Sequence, residues 1–329
     1  MPGATLVTGA SGFAGSHLLD LLAAEGTDLV AWHRPGTHPP IGSPATTWQA
    51  VDLLDAPSVR RAIESVRPGV VYHCAGAAHV GRSWGATEAT FAVNVRGTHP
   101  LLEALRAAGL EVRVMIPGSA MVYRPMAEAL TEDHPLVPPS PYGLSKLAQE
   151  LLGVRASTDR IAVTIGRAFN HVGPRQDPAF AASGFAKQIA EIEAGRHEPE
   201  VVVGNLDARR DTLDVRDTVR AYRSILTRGQ AGRPYNVSSG KAVAIAELLE
   251  MLVALARVPV RVRVDPDRFR PNDVPLLLGD SSRIRRELGW APTIPLSQTL
   301  DDLLAYWRAS SEASPAGLLP SQRHQRLDA

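Results

Sequence analysis

Cysteine is almost missing from this chain. Cys74 is the only one in 329 residues, so no intrachain disulfide can form and a reducing compartment suits the protein. Charge of one sign is missing as well. The formal net charge is +1, which offers no field to a nucleic acid or to an anionic membrane surface. No run is long and apolar enough to span a bilayer. The N-terminus enters an apolar strand almost at once, without the charged region and long apolar core of a signal peptide. The expectation is a cytoplasmic protein with no nucleic-acid partner and no membrane partner. Internal repeats are absent, and the scattered histidines form no metal-ligand cluster, so no metal is expected. What is present is ordinary for a globular chain: 44% apolar and 21% charged residues, enough to bury one large domain or two intimate ones.

Thr5-Leu6-Val7-Thr8 is a short β-branched run, followed directly by Gly9-Ala10-Ser11-Gly12-Phe13-Ala14-Gly15 and then by helical spacing from Ser16 to Ala24. Strand, glycine-rich turn and helix in that order let backbone N–H groups approach a pyrophosphate at a positive helix end. Gly9, Ser11, Gly12, Phe13 and Gly15 are the expected contacts. A second strand, Asp28 to Trp32, ends in His33-Arg34. An NAD site usually has an acid here for the ribose 2′-hydroxyl. This chain has none, and Arg34 is a partner for a 2′-phosphate, so NADP(H) is favoured and NAD(H) remains possible. A solvated loop cation is the other reading of Arg34.

A third strand, Trp48 to Val51, leads into Asp52-Leu53, where an acid can bond an adenine amino group. The fourth, Pro68 to Cys74, runs into Ala75-Gly76-Ala77-Ala78, small residues that let the backbone lie against a cofactor. Cys74 reads as core rather than nucleophile. His79 and Ser83 follow at the carboxyl edge where ligands of such sheets bind; a hydrogen-bonded loop histidine is the equal alternative for His79. A long helix is expected from Ala86 to Ala108, carrying Asn94. Strand five, Glu111 to Ile116, delivers Ser119, and strand six runs from Arg160 to Arg167. The regular alternation predicts an α/β fold, a Rossmann-type doubly wound parallel sheet with right-handed crossovers.

Ser140-Pro141-Tyr142-Gly143-Leu144-Ser145-Lys146 reads as a helix start, with serine as cap and proline at the first helical position. Tyr142 and Lys146, four apart, stand on one face. A phenol titrates near ~10 in water, and a nearby ammonium is expected to draw it towards neutrality. The pair is suited to interconverting a carbonyl and an alcohol.

TGASGFAG at residues 8–15, Ser119 ahead of Val122-Tyr123, and Tyr142 with Lys146 together resemble the extended short-chain dehydrogenase/reductases, over roughly residues 4 to 308. That resemblance implies an NAD(P) cofactor, a nucleotide-linked sugar substrate, and catalysis by Ser119, Tyr142 and Lys146. It also implies that Asn94, Phe169, Tyr142 and Lys146 contact the cofactor. Phe169-Asn170-His171-Val172-Gly173-Pro174-Arg175-Gln176 looks like the substrate loop of enzymes that modify GDP-mannose. Val203 to Asp211 is similar to their nucleotide-contacting strand, and Phe269 to Pro275 to a signature of GDP-4-keto-6-deoxy-mannose reductases. Asn170, Gln176, Arg210, Arg270 and Asp273 are then implied substrate contacts, with His79, Ser83, Ser119 and Met121 lining the sugar. A planar guanidinium suits a diphosphate, and alternation along a strand turns only one of Arg209 and Arg210 to the pocket.

Dehydratase, epimerase and reductase share this fold, and single positions separate them. Met121 stands where the 4,6-dehydratases carry a glutamate, and where the epimerase-reductases of the fucose pathway carry a cysteine. Arg175 stands near the position of the latter's histidine. The expected reaction is reduction of the 4-keto group of GDP-4-keto-6-deoxy-D-mannose to GDP-D-rhamnose, with Tyr142 as proton donor. A GDP-mannose 4,6-dehydratase or a nucleotide-sugar 4-epimerase is the alternative. Pro117-Gly118 before Ser119 and Arg124 after Tyr123 depart from the family pattern without removing a needed group.

The expected domains are residues 1–170 with about 211–230 as the nucleotide-binding unit, and 171–312, less that returning segment, as a smaller α/β C-terminal substrate domain. Short strands are expected there at Val201–Gly204, Pro234–Val237 and Val260–Val264, with a disordered tail at 313–329. The resemblance also implies a homodimer through a four-helix bundle, formed by the helices near Ala86–Ala108 and Pro141–Ala156.

Overall fold

The structure is a computed structural model, and it describes residues 3–37, 46–269 and 274–312. Arg270, Asp273 and the 313–329 tail lie outside the described residues.

Seven parallel strands form the central sheet. The chain begins β1 (Thr5–Thr8), α1 (Phe13–Ala24), β2 (Leu29–His33), β3 (Thr46–Ala50), α2 (Ala56–Val66) and β4 (Val70–His73). After β4 come two short helices, α3 (Val80–Ser83) and α4 (Thr87–Phe91), a π-type turn at Ala92–Arg96, and α5 (Thr98–Ala107). Then follow β5 (Val112–Ser119), α6 (Pro141–Ala156), β6 (Ile161–Ala168), β7 (Asn170–Val172), α7 (Ala181–Glu193), β8 (Glu200–Val203), β9 (Arg209–Asp214), α8 (Val215–Arg228) and β10 (Pro234–Val237). The chain closes with β11 (Ala242–Ala244), α9 (Ile245–Ala254), β12 (Arg261–Val264), β13 (Leu276–Leu277), α10 (Ser282–Leu288) and α11 (Leu296–Glu312).

The large sheet runs β10-β6-β5-β4-β1-β2-β3, so the strand order reverses between β1 and β4, where doubly wound sheets bind ligands. On one face, Leu18, Leu22, Tyr222 and Ile225 from α1 and α8 pack on the sheet. On the other, Ile63, Leu101 and Leu105 from α2 and α5 do so. Burying both faces is what parallel strands require. A second apolar centre forms among α7, α9 and α11, with Phe185, Ile189, Leu252 and Leu304. Beside it lie β11-β9-β13 with β7 on β9, and the β12–β8 pair.

Two expectations are corrected. Pro234–Val237 belongs to the large sheet, as the edge strand beside β6 with Pro234 level with Ile165, and not with the short strands of the C-terminal half. The helix expected from Ala86 to Ala108 is interrupted at Ala92–Arg96 by the wider π-type turn. That turn aims Asn94 inward, fully buried, where its amide clasps the loop after β4. Among the described residues no helix is long and apolar enough to cross a membrane, and no cluster of His, Cys, Asp or Glu is placed to hold a metal.

Candidate active site

The glycine turn is shaped by close approach. Gly9 has φ +62°, and a Cβ on it would lie 2.5 Å from the backbone of Ala75. A Cβ on Gly15 would lie 2.2 Å from Gly9 O. The turn thus presses β1's end against the chain leaving β4, and only glycine fits. Helix α1 opens at Gly12 with no side-chain cap and no acid in its first turn. Its N–H groups and positive end are therefore left for an anion. This cradle fits the pyrophosphate of a dinucleotide, and Ser11 and Gly12 are exposed at its lip.

At the end of β2, Arg34 is exposed, and its carbonyl is close to His33 Nδ1 at 3.0 Å and accepts from Thr37 Oγ1 at 2.7 Å. Asp52 Oδ1 accepts from Leu54 N–H at 2.9 Å, and Leu53 packs near Gly97. Asn94 Oδ1 accepts from Ala77 N–H at 2.7 Å, while its Nδ2 donates to Ala77 O at 3.1 Å and Ser145 Oγ at 2.9 Å. A Cβ on Gly76 would meet Asn94 Oδ1 at 2.9 Å. Asn94 thereby fixes the Ala75-Gly76-Ala77 loop to helix α6.

Helix α6 starts as its sequence predicts. Ser140 Oγ accepts from Gly143 N–H at 3.1 Å, with Pro141 at the first helical position. A Cβ on Gly143 would lie 2.2 Å from Met121 O, so α6 begins directly on the turn that follows Ser119. Ser119 ends β5 and caps that turn, its Oγ accepting from Met121 N–H at 3.2 Å. The Ser119 side chain also acts on the Tyr142 phenol, favouring its ionised form.

The electrostatics differ from expectation. Burial pushes the Tyr142 phenol above its usual value, and the Ser119 side chain draws it back. Lys146 is not among the groups acting on it. Burial instead lowers Lys146 itself to about 8, against smaller raising effects from Cys74 and Glu150. Its Nζ donates to Gln149 Oε1. The idea that Lys146 draws the phenol down is therefore not what this structure displays; desolvation governs both groups. Cys74 is pushed up to about 12 by burial, consistent with a core thiol.

Two of the residues assigned to ligands are buried, Ser83 and Phe169. The Ser83 hydroxyl donates to Val80 O at 2.7 Å and accepts from Tyr142 N–H at 3.1 Å. It helps to hold the start of α6, where Tyr142 stands. Phe169 is 2% exposed and sits in a cluster with Val122, Tyr123, Leu130 and Leu277.

The remaining positions range from buried to exposed. His79 caps α3 through Nδ1, accepting from Arg82 N–H at 3.3 Å, and its ring lies 5.0 Å from that of Phe180. Asn170 is exposed at the start of β7. Gln176 is buried; Nε2 donates to His171 O at 2.8 Å, and Oε1 has no hydrogen-bond partner among the described residues. On β9, Arg209 is exposed and bonds Ala242 O at 3.0 Å, while Arg210 is half-buried and donates to Arg209 O at 2.9 Å.

Arg175 holds an unexpected place. It adopts φ +73°, rare for a non-glycine residue, and reaches across to α1. Its Nη2 lies 2.7 Å from His17 Nδ1 and 2.6 Å from Asp20 Oδ2. His17 Nε2 lies 2.9 Å from Pro174 O, and Phe13 stacks on His171. The substrate-type loop and the glycine-turn helix are thus latched together. Nothing in the local spacing of His17 points to this, because its partners are about 157 residues away.

A parallel sheet of this order, a glycine turn at its switch point, and Ser119, Tyr142 and Lys146 at the carboxyl edge define a dinucleotide-binding protein of the short-chain dehydrogenase/reductase class. The sequence profile of the family described as GDP-mannose 4,6 dehydratase matches residues 6–303. A GDP-6-deoxy-D-mannose reductase of Pseudomonas aeruginosa is 35% identical over 307 residues, 92% of this chain and 96% of its own. The structure of RMD from Pseudomonas aeruginosa complexed with NADPH superposes with a TM-score of 0.80 at 32% identity, over 94% of this chain and 99% of that one. MoeE5 in complex with UDP-glucose and NAD gives 0.81 at 29% identity, again over 94% and 99%. The chain belongs to the GDP-mannose 4,6-dehydratase family.

Proposed function

We propose that this chain reduces the 4-keto group of GDP-4-keto-6-deoxy-D-mannose to GDP-D-rhamnose. The observation that carries this reading is the surroundings of Tyr142. Helix α6 begins directly on the turn carrying Met121, whose carbonyl lies against Gly143, and a thioether cannot carry a proton at neutral pH. Removing water from a sugar, or inverting carbons beside a ketone, needs a second acid or base. Reducing a ketone needs only one proton donor. A reduced nicotinamide cofactor supplies the hydride. Tyr142 protonates the forming alkoxide, Ser119 bonds and orients the same oxygen, and Lys146 binds the ribose hydroxyls. Asn170, Gln176, Arg210, Arg270 and Asp273 are the residues assigned to the sugar nucleotide, with His79 and Met121 beside the sugar. The 35% identity to a GDP-6-deoxy-D-mannose reductase supports the substrate.

NADPH is the favoured cofactor, on the exposed Arg34 and the lack of an acid at the end of β2. The chain works in the cytoplasm as a homodimer. Leu144 and Leu151 on α6 are 50% and 57% exposed, and a groove lined by Leu54, Val95, Arg96, His99, Pro100 and Leu152 opens nearby. Pairing α6 and the α4–α5 segment with a second copy would cover this apolar face. Residues 1–170 with about 211–230 remain assigned to nucleotide binding, now with β10, and the β7–β9 region with α7, α9 and α11 to the substrate.

The test offers purified protein GDP-4-keto-6-deoxy-D-mannose with NADPH or NADH and follows absorbance of the reduced cofactor. Oxidation with the keto sugar, and no conversion of GDP-mannose, is expected. Conversion of GDP-mannose to a keto sugar without cofactor oxidation would contradict the proposal in favour of the dehydratase.

A further inference from the structure

Four buried polar side chains have no part in that reaction: Thr8, His73, Thr98 and Gln149, each 0–1% exposed. They form one chain from the end of β1 to the inner face of α6. Ala75 N–H donates to Thr8 Oγ1 at 3.3 Å. Thr8 Oγ1 lies 2.8 Å from His73 Nδ1, and His73 Nε2 lies 2.9 Å from Thr98 Oγ1. Gln149 Nε2 donates to Thr98 Oγ1 at 2.8 Å, and Lys146 Nζ donates to Gln149 Oε1.

Counting protons fixes the direction of every link. A threonine hydroxyl has one proton to give, and Thr98 gives its own to Asn94 O at 2.7 Å. It therefore accepts from both Gln149 and His73, so His73 Nε2 carries a proton. Burial lowers His73 to about 3, with Lys146 adding to the effect, so the ring is neutral and Nδ1 is a bare acceptor for the proton of Thr8. Gln149 is settled in the same way: with its NH₂ committed to Thr98, only its carbonyl oxygen can face Lys146. The other titratable groups around Lys146 are Cys74 at the end of β4 and Glu150 on α6. Glu150 is occupied by a two-point pair with Arg167 on β6, at 3.0 and 2.5 Å.

We propose that Gln149, locked in one amide orientation by Thr98 and the neutral His73, is the positioning residue that aims the Lys146 ammonium and sets how readily it holds its proton. The proposal rests on the reading that Lys146 serves the reduction. A neutral acceptor steadies the ammonium without the strong preference for the charged form that a carboxylate would impose. The same chain ties Lys146 to Thr8 at the end of β1 and, through Thr8, to Ala75 after β4.

Only three lysines occur in the chain, Lys146, Lys187 and Lys241. Lysine labelled with ¹³C at Cε therefore yields three resonances, and Lys187→Arg and Lys241→Arg assign the third to Lys146. Its titration midpoint in the full chain is read in wild type, Gln149→Glu and Gln149→Met. The expected result is a midpoint raised by about one unit or more in the glutamate variant and lowered in the methionine variant, with the pH profile of kcat moving in step. Midpoints that stay at the wild-type value, or move the same way in both, would overturn the proposal. Should either variant fail to fold, Thr98→Ser and Thr98→Val ask the same question. Serine keeps the wild-type midpoint and valine shifts it and lowers kcat more than it changes KM; identical titrations would overturn the proposal. The titration needs no substrate, so it is read even if the chain reduces a different sugar.

Discussion

The backbone N–H of Tyr142 donates to the buried hydroxyl of Ser83 at 3.1 Å. Ser83 closes α3, on the loop that leaves β4, whereas Tyr142 opens α6. One hydrogen bond therefore joins the segment carrying His79 to the helix carrying Tyr142. An N–H in the first turn of a helix has no partner within the helix, and here a side chain 59 residues away provides one.

Ser83→Ala leaves that N–H unpaired in a buried place. The cost is about 1 kcal/mol of stability, and, because the start of α6 loosens, roughly a tenfold loss in kcat with a smaller change in KM. Thermal unfolding and steady-state kinetics check it; an unchanged kcat would remove Ser83 from the positioning of Tyr142.

Tyr142→Phe removes the phenolic proton while keeping the ring. Cofactor binding, measured by fluorescence titration, should stay within about twofold, while turnover falls by about 10²–10⁴. Retention of turnover would show that the proton comes from elsewhere.

Arg34 is exposed just past the end of β2, where the sequence carries no acid. Arg34→Ala should weaken NADPH about tenfold, equal to about 1.4 kcal/mol, and leave NADH nearly unchanged. Equal effects on the two cofactors would place the 2′-phosphate elsewhere.

His17 ties α1 to the Arg175 loop and is lowered to about 4, by burial first, with the Pro174 carbonyl opposing, Arg175 lowering further, and Asp20 and Asp214 opposing. The ring is 7% exposed. Its unfolded value is near ~6.5, so between those values the unfolded chain binds more protons than the folded one. Stability is then complete above about pH 6.5 and is lost as the pH falls towards 4, by about 3 kcal/mol in full. Urea unfolding of wild type and His17→Asn from pH 7 to 4.5 checks this. The asparagine variant should lose less stability over that interval; parallel losses would contradict it.

What was legible in the sequence was local. The Ser140-Pro141 cap, the four-residue spacing of Tyr142 and Lys146, and the glycine turn each depend on neighbours in the chain, and each stands as read. What was not legible depends on distant partners. The π-type turn at Asn94 is held by Ala77 and Ser145, and propensity alone reads it as plain helix. Pro234–Val237 is short enough to join either sheet, and only its pairing with β6 decides. The hydrogen bond from Ser83 to Val80 and the cluster around Phe169 are likewise set by the folded chain and not by local spacing. His73 and Gln149 look like an ordinary strand residue and an ordinary helix residue until Thr98 is placed between them.

The central claim is that Tyr142 acts on one carbonyl oxygen with no second acid or base beside it. The most direct measurement runs the reaction on GDP-4-keto-6-deoxy-D-mannose in D₂O with unlabelled NADPH, and in H₂O with NADPH deuterated at the transferring carbon, and reads the product by NMR. The account predicts deuterium from the cofactor at carbon 4 alone, and no solvent deuterium at carbons 3 or 5. Enzyme-dependent solvent deuterium at either carbon, or no transfer from the cofactor to carbon 4, would contradict it.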